Sequence, residues 1–91
     1  MTVRIFGRLR KTLAADAIEL QASTVGEAVG VLRARLDAGD AAAQLMLDHA
    51  VILVNGRNVR GLAAHARLRS WHETPLGADD QMTVLQQVAG G

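Results

Sequence analysis

Hydrophobic and polar residues alternate at the start of the chain. From Thr2 to Arg10, Val3, Ile5, Gly7 and Leu9 fall on one side and Arg4, Phe6, Arg8 and Arg10 on the other. That is the two-residue period of a half-buried strand. Ile18 and Leu20 repeat the spacing, which predicts a second strand over Ala17 to Ala22 and a hairpin through Lys11 to Asp16. The period then changes. Val25, Ala28, Val29, Leu32 and Leu36 recur at helical spacing, with Arg33, Arg35 and Asp37 off the stripe. Thr24 and Glu27 open this segment as a capping box, Thr24 accepting from the N–H three residues on and Glu27 reaching back. Gly39, suited to the left-handed conformation, predicts a helix end near Ala38-Gly39.

The second half is shorter in rhythm. Ala41 to Asp48 is alanine-rich and predicts a short second helix. Val51-Ile52-Leu53-Val54 is a β-branched run that stops at Asn55-Gly56, a tight-turn dipeptide. Asn58-Val59-Arg60 predicts a short return strand. Gly61 to His72 fits either a short helix or an irregular loop, and Thr74 to Asp80 is turn chemistry. Gln81 to Gln87 predicts a last strand with Met82 and Val84 turned inward. Two strands, one long helix and a further set of strands imply an α+β layer, with the helix over one face of a four- to five-stranded mixed sheet.

Composition narrows the chemistry. The chain of 91 residues suits one small domain, read as residues 1–87 with a flexible tail at 88–91. It has no cysteine, which excludes disulfides, thiolate metal sites and cysteine nucleophiles. A net charge of +1 argues against a nucleic-acid binder. No apolar run approaches the roughly 20 residues that cross a membrane, and no apolar signal region follows the first residues, so the expected location is cytoplasmic. His49, His65 and His72 lack the carboxylate or cysteine company of a metal set; His65 and His72 are spaced to align on a helix. Trp71 is expected to lie as a lid on the core. Arg57, Arg60, Arg67 and Arg69 crowd one segment, either as a solvated loop or as a docking surface for an acidic partner.

The ending carries the candidate chemistry. Gly90 and Gly91 follow the last predicted strand. At ordinary glycine usage, that coincidence arises about once in 200 chains. Glycine anchors a terminus poorly but leaves its carboxylate open to close approach from either side. The Gly91 carboxyl group is therefore the expected reactive site. A frayed, inert tail is the alternative.

Four segments resemble the ubiquitin-like sulfur carriers of the MoaD/ThiS family, which includes the small subunit of molybdopterin synthase. They are Val3 to Arg10 as first strand, Thr24-Val25-Gly26-Glu27-Ala28 as helix start, Ile52-Leu53-Val54-Asn55-Gly56 as a strand closed by Asn-Gly, and the block from Leu76 to Gly91. Gln86 and Gln87 stand where molybdopterin-type members usually carry prolines and where thiamine-type carriers often have polar residues. Ala78-Asp79-Asp80 lacks a glycine usual between its acids, and Gly61 to His72 is longer than in typical members.

The resemblance implies a β-grasp fold and a carrier, not an enzyme. An adenylyltransferase of the ubiquitin-activating type would transfer AMP from ATP, with Mg²⁺ on that partner, to Gly91. A persulfide donor would then leave a thiocarboxylate, and a synthase subunit would take the sulfur. No bound metal or cofactor is expected on the chain itself. Val88, Ala89 and Gly90 would be gripped in a partner channel. By alternation, Phe6, Leu53 and Leu85 fall opposite the core residues and form a candidate docking patch. The ending points to molybdopterin assembly as the expected destination; a thiamine-type or other sulfur carrier, a modifier conjugated to lysines through Gly91, and a plain interaction module with an inert tail remain open.

Overall fold

The computed structural model describes residues 1–85. A five-stranded mixed sheet carries the fold, in the order β2-β1-β5-β3-β4. Its strands are β1 (Thr2–Ile5), β2 (Ala17–Glu19), β3 (Val51–Val54), β4 (Arg57–Asn58) and β5 (Gln81–Leu85). The helices are α1 (Arg8–Thr12), α2 (Val25–Arg35), α3 (Ala41–Asp48) and α4 (Val59–His65), with a single 3₁₀ turn at Trp71–Glu73. β5 lies at the centre, parallel to β1 and antiparallel to β3.

Alternation builds the inner face of the sheet. Val3, Ile5, Ile52, Val54, Met82 and Val84 point into the core and meet Val25, Ala28, Val29 and Leu32 of α2. Each of these side chains larger than alanine contributes about 1.5–3 kcal/mol on burial. Among the described residues, buried polar character is confined to Thr74, whose Oγ1 has no hydrogen-bond partner. Arg33 joins α2 to α3 through Asp48 and through Gln44 Oε1 at 2.7 Å.

The first strand is shorter than its alternation predicts. Gly7 sits at φ 82°, ψ −155°, a backbone region essentially restricted to glycine, and turns the chain out of the sheet. Arg8 to Thr12 then form α1 in place of a strand end and a simple hairpin, with Leu9 still wholly buried. α1 closes with paired bonds from Ala14 N–H to the Lys11 carbonyl and from Ala15 N–H to the Arg10 carbonyl. Ala14 takes φ 56°, the left-handed position that glycine usually fills.

Two other boundaries also move. α2 stops at Arg35, because Leu36 turns extended and is buried. Asp37 Oδ1 then accepts from Gly39 N–H at 3.0 Å, and Gly39 is not left-handed. At the other end Thr24 Oγ1 accepts from Glu27 N–H at 3.2 Å, but among the described residues the Glu27 carboxylate makes no return bond. The return strand is confined to Arg57–Asn58, because Val59 is drawn into the core as the first residue of α4. Asn58 caps that helix by accepting from Arg60 N–H at 2.9 Å. α4 ends at His65, so His65 and His72 do not share a helix.

Residues 71–76 strap the start of α2 to the sheet. Val25 N–H donates to the Thr74 carbonyl and Leu76 N–H to the Ser23 carbonyl, both at 2.9 Å. A Cβ on Gly26 would lie 3.0 Å from the His72 carbonyl oxygen and Cβ, so a larger residue there would require the strap to give by a few tenths of an ångström.

Candidate functional site

The outer face of the sheet is built by the same alternation as the core, one residue out of phase. Ile5 is paired with Val84, and Val51 with Leu85. Phe6 N–H donates to the Val84 carbonyl at 3.0 Å, which continues β1 by one residue. Phe6, Leu85 and Val51 therefore form an apolar row across three adjacent strands, at the end where the chain leaves β5. Arg4, Thr83 and Leu53 form the next row. Phe6 is 45% exposed, and Leu53, Leu85 and Val51 are half-buried. No described helix covers Phe6.

Two turns fix where β5 begins. Asn55 (φ 51°) and Gly56 (φ 83°) make the paired positive-φ turn that joins β3 to β4. Asn55 Nδ2 donates to Asp80 Oδ1 at 2.9 Å, while Asn55 Oδ1 accepts from Gln81 N–H at 2.9 Å. Asp80 Oδ2 also accepts from Gly77 N–H at 2.7 Å. The hydrogen bond from Gly77, then that from Asn55, favours the charged carboxylate and lowers its pKa below the ordinary 3.8, against a smaller opposing effect of burial. This clamp ties the β3–β4 turn to the start of β5 and so sets the register of the strand that leads to the C-terminal residues.

The sequence-predicted docking residues Phe6, Leu53 and Leu85 thus share the outer face. Val51 joins them there, and the alternation that selected Leu53 selects Val51 equally. The tail residues Val88, Ala89, Gly90 and Gly91, and the boundary after residue 87, lie outside the described residues. Among the described residues, no group of three or more His, Cys, Asp or Glu is placed to hold a metal ion. No described helix is long and apolar enough to cross a membrane. Trp71 is half-buried and packs against the core.

The ThiS family model matches residues 3–91. No curated protein matches the sequence significantly. Among solved structures, the chain is similar to small archaeal modifier protein 1 from Methanosarcina acetivorans, at 24% identity and TM-score 0.72, over 99% of this chain and 94% of that one. It is similar to a chain of the Amycolatopsis orientalis BexX/CysO complex, at 27% identity and TM-score 0.70, over 99% and 98% of the two chains. A chain from the complex of subunits 1 and 2 of molybdopterin-converting factor from Helicobacter pylori matches at 21% identity and TM-score 0.61, over 99% and 96%. A family match over nearly the whole length, on a sheet with β5 between β1 and β3, settles the kinship: the chain belongs to the ThiS family, a family of small ubiquitin-like β-grasp carriers that are not themselves enzymes.

Proposed function

We propose that the chain is a sulfur carrier whose Gly91 carboxylate is converted to a thiocarboxylate, with molybdopterin assembly as the destination of the sulfur. A carboxylate is a poor acyl donor because oxide would have to leave. Transfer of AMP from ATP by an adenylyltransferase supplies a leaving group and releases pyrophosphate. A persulfide sulfur on a donor protein then attacks the Gly91 carbonyl carbon and expels AMP. The resulting acyl disulfide is cleaved by a second thiol, which leaves sulfur on Gly91 and a disulfide on the donor. Mg²⁺ and ATP are bound by the activating partner. Once the tail enters a synthase subunit, the thiocarboxylate is held as an oriented nucleophile.

The observation that carries this reading is the apolar row Phe6–Leu85–Val51 beside the end of β5, from which the sequence runs on to Val88-Ala89-Gly90-Gly91. A partner seated on that row, with Leu53 in the next, would face the root of the segment it must thread. Val88 and Ala89 would be gripped by main-chain hydrogen bonds in the channel, as in strand addition. The similarity to a chain of the Helicobacter molybdopterin-converting factor complex supports a synthase subunit as acceptor.

Intact mass spectrometry after incubation with ATP, Mg²⁺, the cognate activating enzyme and a persulfide donor tests the proposal. We expect one oxygen-to-sulfur exchange at Gly91, and none in a Gly91→Leu variant with an unchanged melting temperature. An unmodified wild-type terminus, or equal yield from the variant, overturns the reading. The similarity to an archaeal modifier favours a second reading, in which Gly91 ends in an isopeptide bond. A Gly-Gly remnant on lysines of other proteins would select it.

A further inference from the structure

Residues 57–72 contain Arg57, Arg60, Arg67 and Arg69 and no aspartate or glutamate. The rest of the chain holds six Lys or Arg against nine Asp or Glu. A charge of +4 on this segment therefore stands against −3 on the remainder, although the whole is nearly neutral. All four arginines are exposed. The ion pairs among the described residues are Met1 with Glu19 and Arg33 with Asp48, so none of the four has a carboxylate partner there.

A cavity of about 280 Å³ opens beside Arg60, lined also by His49, Ile52, Asn58, Val59 and Trp71 among others. Arg60 lies over the Trp71 ring, 5.9 Å from its centroid. His72 stacks on the same indole at 3.7 Å. Val51 borders the cavity and is paired with Leu85, so the cavity adjoins the end of β5.

We propose that this face docks an acidic segment of a partner protein, its carboxylates against Arg57, Arg60, Arg67 and Arg69 and one apolar side chain in the cavity beside Trp71. Charge complementarity selects an anionic partner. The cavity is of side-chain size and the net positive charge is concentrated in one segment of a chain whose remainder is net acidic, which suits a short peptide segment. A single-stranded nucleic acid would want a basic track and a free aromatic face for its bases, and Trp71 is already taken up by His72 and Arg60. The proposal is independent of any chemistry at Gly91.

Arg67 provides a clean probe. It takes φ 58° at the end of α4, with Arg67 N–H donating to the Ala64 carbonyl and Leu68 N–H to the Ala63 carbonyl. Glycine fits that position best. Arg67→Gly therefore removes a cation while leaving the fold equally or more stable.

Trp71 is the sole tryptophan and there is no tyrosine, so its emission reports this face alone. The full chain is titrated with an acetylated peptide of one leucine flanked on each side by three glutamates. We expect a saturable change in Trp71 emission, with affinity falling about tenfold as sodium chloride rises from about 20 to about 200 mM. Arg60→Ala and Arg67→Gly should each weaken binding about threefold or more, the latter with an equal or higher melting temperature. No saturable change, undiminished binding in both variants, or oligothymidylate binding as tightly as the peptide overturns the proposal. A concentration-dependent emission change without peptide would also overturn it, by assigning the face to a second copy of the chain.

Discussion

The outer face of the sheet and the face around α4 adjoin each other and are made in opposite ways. The first is a product of strict alternation: Phe6, Leu85, Val51 and Leu53 fall on it because their neighbours fall in the core. Its attraction for a partner is apolar, and salt screens it little. The second comes from an irregular stretch that a helix, a left-handed turn and a 3₁₀ turn fold into a cationic surface. Its attraction is electrostatic and fades within a Debye length of about 10 Å at 0.1 M salt. A partner touching both would be steered by the second and held by the first.

The sharpest separation of the two comes from Phe6→Ala combined with Leu85→Ala. Loss of apolar anchors at an interface commonly costs about 2 kcal/mol or more, so affinity for the activating enzyme should fall roughly thirtyfold at any salt concentration. Surface plasmon resonance at low and high salt measures this. If the loss vanished at high salt, the outer face would be acting by charge and the contrast would fail.

A middle-sized effect concerns the clamp at the start of β5. Because the Asp80 pKa is lowered in the folded chain, its stabilising contribution is present above the unfolded value near 3.8 and disappears as pH falls through the lower folded value. Asp80→Asn should therefore lower the melting temperature at pH 7, and lower it by less at pH 2. Thermal unfolding followed by circular dichroism at the two pH values checks the sign. Hydrogen exchange at Gln81, whose N–H is held by Asn55, should quicken in the variant at neutral pH.

The smallest effect compares two left-handed helix ends. Ala14 closes α1 and Arg67 closes α4, both in a conformation that costs an L-residue about 1 kcal/mol. Ala14→Gly and Arg67→Gly should each raise stability by up to about 1 kcal/mol in urea titration, yet only Arg67→Gly should change peptide binding. Equal binding losses in both would mean that the backbone turn, and not the guanidinium, shapes the cationic face.

The same two faces show what the sequence could reveal. Thr24 as helix cap, the Asn55-Gly56 turn and the inward set Val3, Ile5, Met82 and Val84 were all legible, because each follows from local geometry or a simple period. Leu9 was rightly placed inside, but as a strand residue. Five residues of α1 are too few to display a helical period, and Gly7, which breaks the strand, also fitted the alternation. The early end of α2 reflects a tertiary demand, the burial of Leu36, that outweighed a glycine placed to stop the helix later. α4 was open between helix and loop because its apolar stripe is short. Its cap, Asn58, reads equally well from sequence as part of a return strand.

Parallel pairing of the first and last strands has a consequence for the chain's birth. The centre of the sheet is the part made last, so a chain still short of β5 holds two separate antiparallel strand pairs with a vacant lane between them. Cooperative stability must wait for that lane to fill, and the contacts that fill it span most of the polypeptide. A nascent or truncated product therefore cannot masquerade as a finished one. Whatever recognises the completed outer face, with Phe6 and Val51 bridged by Leu85, is at the same time recognising that translation has passed through β5.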